Sequence, residues 1–272
     1  MKQVIAGLTL ALMLLMTTAA LAGDTVMMAT TTSTDNTGLL DYLAPIFQAD
    51  TGVELKWTAV GTGKALAMGE NCDVDVLMVH APDSEIKFVD AGFGEDRRLV
   101  MYNDFVIVGP EADPAKVKGM TAANALKAIA AAKAGFASRG DNSGTNKKEL
   151  SLWAGAGIAT PIKVEWYVET GQGMIATLNV AGEKGIYSMT DRGTWIKFES
   201  THPDSMPLVI ISEGDEALFN QYSVMAVAPA HCPAVNNAMA LKYMDWIVTP
   251  AAQKAIADFK LLGKPLFIPN AK

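Results

Sequence analysis

Two stretches of this chain carry residue types suited to holding an anion: Thr30-Thr31-Thr32-Ser33-Thr34-Asp35-Asn36-Thr37-Gly38 and Ser138-Arg139-Gly140-Asp141-Asn142-Ser143-Gly144-Thr145. Each follows a short apolar run, residues 26–29 and 135–137, and leads into a helical pattern, 39–48 and 147–154. Hydroxyls and free backbone N–H groups therefore gather where a helix dipole is positive. Arg139 is the one full charge in either loop that favours an anion, and its guanidinium can fork onto two oxygens. Asp141 is placed to hold that guanidinium. Ser143-Gly144-Thr145 lets backbone approach a tetrahedral ion while hydroxyls donate from either side. The same residues would also serve as an ordinary N-cap, and Arg139 four positions earlier favours the ligand site. The 30–34 run is equally open to satisfying local backbone groups. Gly61-Thr62-Gly63-Lys64 is a third donor loop; it lacks the upstream Gly and the Ser or Thr after Lys of a P-loop. Gly171-Gln172-Gly173-Met174 is a strand-to-helix turn whose N–H groups could face the same space. Asp191-Arg192 reads as an Asp–Arg pair bracing the cleft.

The elements that position these loops alternate. Apolar runs bounded by Gly, Pro, Asn or Asp predict strands at 26–29, 53–60, 74–79, 105–108, 136–137, 164–167, 185–189 and 223–228. Helical patterns lie at 39–48, 63–70, 84–91, 121–134, 146–154, 173–183, 236–247 and 250–261, with Asn36 and Thr121 as N-caps. This order predicts an α/β protein with largely parallel sheets. Two apolar, Pro-terminated strands, 102–110 and 222–229, read as crossings between lobes. Lobe I is then 23–104 plus 223–272 and lobe II 105–222, each contributing one anion loop to a cleft between them.

Lys2, the charge-free run 4–16 and Ala20-Leu21-Ala22 before Gly23 have the layout of a secretory signal peptide, residues 1–22. The run is short for a membrane span, and no Cys follows it to accept a lipid, so a soluble periplasmic protein is expected. Removing Lys2 takes the formal net charge from −7 to about −8. Nucleic acid is thereby disfavoured as a partner, and an anion must be held by local donors against the overall field. Cys72 and Cys232, the only cysteines, could pair in an oxidising compartment or stay as buried thiols; spacing leaves this open. His80, His202 and His231 form no metal spacing, so no resident metal or cofactor is expected. There is no Gly-x-Ser-x-Gly elbow, and a secreted hydrolase using Ser143 or Thr145 is the enzyme alternative.

Thr30-Thr31-Thr32-Ser33, Tyr102-Asn103-Asp104-Phe105-Val106-Ile107-Val108-Gly109-Pro110, the 138–145 segment, Trp166-Tyr167, Gly171-Gln172-Gly173-Met174 and Thr190-Asp191-Arg192-Gly193-Thr194 together resemble the periplasmic tungstate-binding subunits of ABC transporters. The resemblance runs over essentially the whole mature chain. It implies a class II periplasmic-binding-protein fold, two α/β lobes with mixed, mostly parallel sheets closing on an oxyanion. It also implies a monomer without turnover that delivers tungstate, or molybdate, to a permease and its ATPase. Thr32, Ser33 and Thr62 from lobe I would meet Arg139, Ser143, Gly144 and Thr145 from lobe II, with Asp141 behind the arginine. The 139–145 segment is also similar to phosphate-binding relatives, so phosphate or sulfate is the alternative ligand. Those relatives place an Asp before Ala-Pro to accept the proton of hydrogen phosphate. Here His80 stands there, either as a donor favouring an anion without a proton or merely as a loop cap.

Overall fold

The first strand shows how residue order sets position. In β1 (Thr25–Thr31), Val26 and Met28 are buried in one hydrophobic cluster and Ala29 in another, the two-residue period of a strand covered on both faces. The computed structural model describes residues 24–202 and 207–272, so the signal-peptide segment 1–22 lies outside the described residues. After β1 come α1 (Thr32–Asp35), α2 (Leu39–Thr51), β2 (Glu54–Val60), α3 (Thr62–Glu70), β3 (Val76–Val79), α4 (Pro82–Asp90) and the long β4 (Gly94–Gly109). The chain continues through α5 (Ala122–Ala132), β5 (Phe136–Ser138), α6 (Gly144–Gly155), β6 (Tyr167–Glu169), α7 (Met174–Lys184), β7 (Tyr187–Asp191), α8 (Arg192–Ser200) and β8 (Val209–Ser212). It returns by β9 (Phe219–Val227) to α9 (Asn237–Ile247) and α10 (Pro250–Asp258), and ends in three two-residue strands.

Strands β2, β1 and β3 run parallel, and β3 is joined antiparallel by β9, which pairs with β4. On the other side β6, β5 and β7 run parallel, with β7 and β8 antiparallel to β4. Strand β4 serves both halves: up to Asp104 it pairs with β9, and from Phe105 it pairs with β7 and β8. The return strand pairs from Phe219, so position 222/223 falls inside β9. Each half has clusters of buried side chains under its helices, Phe47, Tyr243 and Trp246 among them in one and Phe136, Trp153 and Tyr187 in the other. This is the two-lobed mixed α/β architecture expected from the sequence.

Several elements differ from the sequence expectation. β4 begins eleven residues before the strand expected at 105–108 and eight before the crossing strand expected at 102–110, because its opening residues, Gly-Glu-Asp-Arg-Arg, carry no apolar run. Its charges are paired instead: Arg97 with Glu85 at 2.8 Å and Arg98 with Asp245 at 2.7 Å. The polar helix α8 was hidden for the same reason. Asn36 is the C-cap of α1, not an N-cap, and Gly38, with φ +77°, opens α2. Thr121 does precede α5, but its side chain makes no capping hydrogen bond. Cys72 and Cys232 form a disulfide with Cα atoms 5.5 Å apart, which resolves the choice that spacing left open. Among the described residues no helix is long and apolar enough to cross a membrane.

Candidate functional site

Two concave regions compete for attention. The larger, about 450 Å³, lies where β4 changes partners and is walled by Tyr102, Phe219, Leu266, Phe267 and Ile268. Its one arginine, Arg192, is already forked onto Asp104 at 2.5 and 2.6 Å and bonded to Glu213 at 2.7 Å, leaving little positive charge for an anion. The smaller, about 330 Å³, is lined by Thr32, Ser33, Asn36 and Thr37 from the first half and by Arg139, Thr145, Met174, Gly193, Thr194 and Lys197 from the second. Cationic and hydroxyl groups dominate this lining, with Asp191 as its one carboxylate.

The second-half wall is built from helix starts. Thr145 sits in the first turn of α6, Met174 opens α7, and Gly193 and Thr194 lie in the first turn of α8. Gly173 offers α7 no side-chain cap, so the first N–H groups of that helix are left for a ligand. At α8, Asp191 fills this role: its Oδ1 accepts from the Thr194 N–H at 2.8 Å and its Oδ2 from the Thr194 hydroxyl at 2.7 Å. The expected Asp191–Arg192 pair is therefore not formed. Adjacent residues at a strand-to-helix turn diverge, and Arg192 reaches back to Asp104 while Asp191 caps.

Arg139 is held from behind. Its Nε and Nη2 donate to Asp141 Oδ2 at 3.1 and 2.5 Å, and Asp141 Oδ1 accepts from the Ser143 N–H at 3.1 Å. Partial burial opposes ionisation of Asp141, but the hydrogen bonds from Ser143 and Arg139 hold its carboxyl below the usual range. Gly140, φ +59°, has Glu169 Cβ only 2.8 Å from where a Cβ would stand, so the loop requires glycine there. Beneath it Ser138 donates to buried Glu149 at 2.6 Å, and Tyr167 and Trp153 donate to the other oxygen at 2.6 and 3.0 Å. Burial pushes the Glu149 carboxyl up, while these donors favour its charged form. Asn146 ties this cluster to the loop, accepting from the Asn142 N–H at 3.0 Å and donating to Ser138 Oγ at 3.3 Å.

Of the residues expected from sequence, Thr32, Ser33, Arg139 and Thr145 line the cleft. Ser143 caps α6 through the Asn146 N–H, Gly144 is the first residue of that helix, and Thr62 opens α3; none of the three is among the lining residues. His80 also stands behind the wall. Its Nε2 lies 3.1 Å from Thr31 Oγ1 and 3.0 Å from Ser33 Oγ, and its Nδ1 lies 3.0 Å from Asn220 Oδ1. It is not among the residues that line the cleft. Sequence reasoning missed Lys197, whose Nζ donates across the cleft to the Asn36 carbonyl at 2.7 Å. No local signal marked it, since it is one of several charges on a polar helix. The neighbouring Ile196 is buried in the core of the first half.

The chain matches a PBP superfamily domain over residues 17–251. It is 50% identical over 240 residues to the tungstate-binding protein TupA of Campylobacter jejuni, covering 88% of this chain and 89% of that one. Among solved structures it is 64% identical to the tungstate-binding protein TupA of Desulfovibrio alaskensis G20, with a TM-score of 0.90, covering 92% of this chain and all of the other. A structure described as the tungstate ABC transporter from Geobacter sulfurreducens is 49% identical, with a TM-score of 0.73 over 86% of this chain and 98% of that one.

Proposed function

This chain belongs to the PBP superfamily and, within it, to the family of tungstate-binding proteins, and on that premise we propose that it is the solute-binding protein of an ABC importer, capturing tungstate, and molybdate with it, between its two lobes. The observation that carries this reading is the 330 Å³ cleft in which Arg139, Lys197, hydroxyls from both halves and uncapped helix N–H groups converge. Donors dominate the site, and a tetrahedral dianion without a proton matches them. We assign oxyanion contact to Thr32, Ser33, Arg139 and Thr145, with Thr62, Ser143 and Gly144 as further candidates, and to Lys197 as a residue found only in the structure. The periplasm is its compartment, reached through residues 1–22, and the permease with its ATPase is its partner. It acts as a monomer and needs no cofactor. No turnover is assigned: the Ser33–His80 contact shares its nitrogen with Thr31 and has Asn220 in place of a carboxylate.

Thermal unfolding across an oxyanion panel tests this reading. Ligand that binds only the folded state adds about 2.7 kcal/mol at a hundred times its Kd. Tungstate and molybdate are expected to raise Tm by several degrees at micromolar excess, sulfate less and phosphate least. Equal shifts with all four would make this a general dianion binder, and no shift with any would remove the function.

Lys197 supplies a second expected result. A charged donor that joins α8 to the Asn36 carbonyl and faces the ion contributes in both ways. Lys197→Met should therefore weaken tungstate binding about tenfold in calorimetry, with a larger radius of gyration at subsaturating ligand. Unchanged affinity would place Lys197 outside the binding machinery.

A further inference from the structure

Behind Ser33 a line of buried polar groups runs from the point where β4 changes partners to the cleft. Asn103 and Asn220 face each other across β4 and β9. Asn220 Nδ2 donates to Asn103 Oδ1 at 2.8 Å, which turns the Asn220 carbonyl oxygen toward His80 Nδ1, 3.0 Å away. An amide oxygen only accepts, so Nδ1 carries the imidazole hydrogen and Nε2 presents a bare lone pair. The Tyr222 ring packs against the imidazole with centroids 4.7 Å apart.

That lone pair has two hydroxyls within reach, Thr31 at 3.1 Å and Ser33 at 3.0 Å, and it can take one hydrogen. Thr31 is buried; its oxygen accepts from the Thr34 N–H at 3.2 Å and lies 2.7 Å from the Thr34 hydroxyl and 3.0 Å from that of Ser33. With the Thr34 hydroxyl donating to it, its own hydrogen needs another internal acceptor, and His80 Nε2 is in reach. Ser33 is exposed to the cleft and can donate to whatever lies there. We propose that His80 is a positioning residue that sets the donor direction of this wall: it absorbs the Thr31 hydrogen, frees the Ser33 hydroxyl to donate into the cleft, and so selects against oxyanions that carry a proton.

This deepens the reading of the cleft as a tungstate site and rests on it. Burial lowers the imidazole pKa, with the Asn220 hydrogen bond and the charge of Asp191 opposing, so the ring remains the neutral acceptor that the geometry requires. Asp191, the carboxylate that lines the cleft, has each of its oxygens engaged by Thr194. Among the residues lining the cleft, hydrogen phosphate would therefore meet no carboxylate oxygen free of a protein donor to take its O–H, a mismatch that weakens binding about tenfold.

Two measurements test the assignment. In tungstate-loaded wild-type protein labelled with ¹⁵N at its imidazoles, long-range proton–nitrogen spectra should show His80 protonated at Nδ1 and bare at Nε2, its signals identified by their loss in His80→Gln. A hydrogen on Nε2 overturns the proposal. In calorimetric competition between tungstate and phosphate, His80→Gln, whose amide can donate to Asn220 and accept from Thr31, should keep the wild-type ratio within about threefold, while His80→Met should reduce it about tenfold. An unchanged ratio in His80→Met, or equal losses in both variants, overturns the directional role. Wild-type protein that bound no tungstate would instead strike the proposed function.

Discussion

Arg139→Ala is expected to weaken tungstate binding at least tenfold, and up to about a hundredfold, in isothermal calorimetry. Hydrogen bonds to charged groups contribute about 1.5–3 kcal/mol, and each 1.4 kcal/mol is a factor of ten in Kd. The fork of Arg139 is turned by Asp141, which takes Nε and Nη2 and leaves Nη1 for the cleft. Truncation removes the cation and leaves the Asp141 carboxylate close to a dianion, so repulsion adds to the lost contact. Arg139→Lys should fall between, since an ammonium keeps the charge but not the fork. Ligand-free Tm should move little, because a largely surface ion pair contributes about 0–1 kcal/mol. Affinity unchanged in Arg139→Ala would take the residue out of the site.

The second large effect concerns stability and should spare binding. The Cys72–Cys232 bridge closes a loop with a sequence separation of 160, for which the chain-entropy relation gives about 5 kcal/mol and engineered cases deliver about 2–4. It pins the turn after α3 to the segment between β9 and α9, and neither cysteine lines the cleft. The Cys72→Ser, Cys232→Ser double variant is expected to lose about 2–4 kcal/mol in urea unfolding and about 5–15 °C in Tm, with tungstate affinity within about twofold of wild type. Reduction that leaves Tm unchanged would show that the bridge contributes nothing to stability.

What was legible in the sequence is what is local. The 138–145 loop declares itself because arginine, its carboxylate partner, glycine and two hydroxyls follow one another within eight residues, and because a helix start is written in the caps beside them. The first strand, the Leu39 and Lys147 helices and the alternation that makes the fold α/β are likewise set by periodicity over short windows. The strand through 105–108 was legible too, as an unbroken apolar run.

Pairings made across the fold were not legible. Arg192 bonds Asp104, 88 positions away, rather than its neighbour Asp191; Lys197 meets the Asn36 carbonyl across 161 positions; His80 meets the Asn220 side chain across 140. In each case the residue type announces a capacity, to donate, accept or carry charge, and several partners would satisfy it equally well in sequence. Sequence by itself determined the fold class, the anion chemistry and the loop that carries Arg139. The tertiary structure decided which helix starts and which second cation line the cleft, and set an amide oxygen beside His80 Nδ1. The direction of a hydrogen bond depends on what else the partner touches, and that is settled only when distant strands are brought side by side.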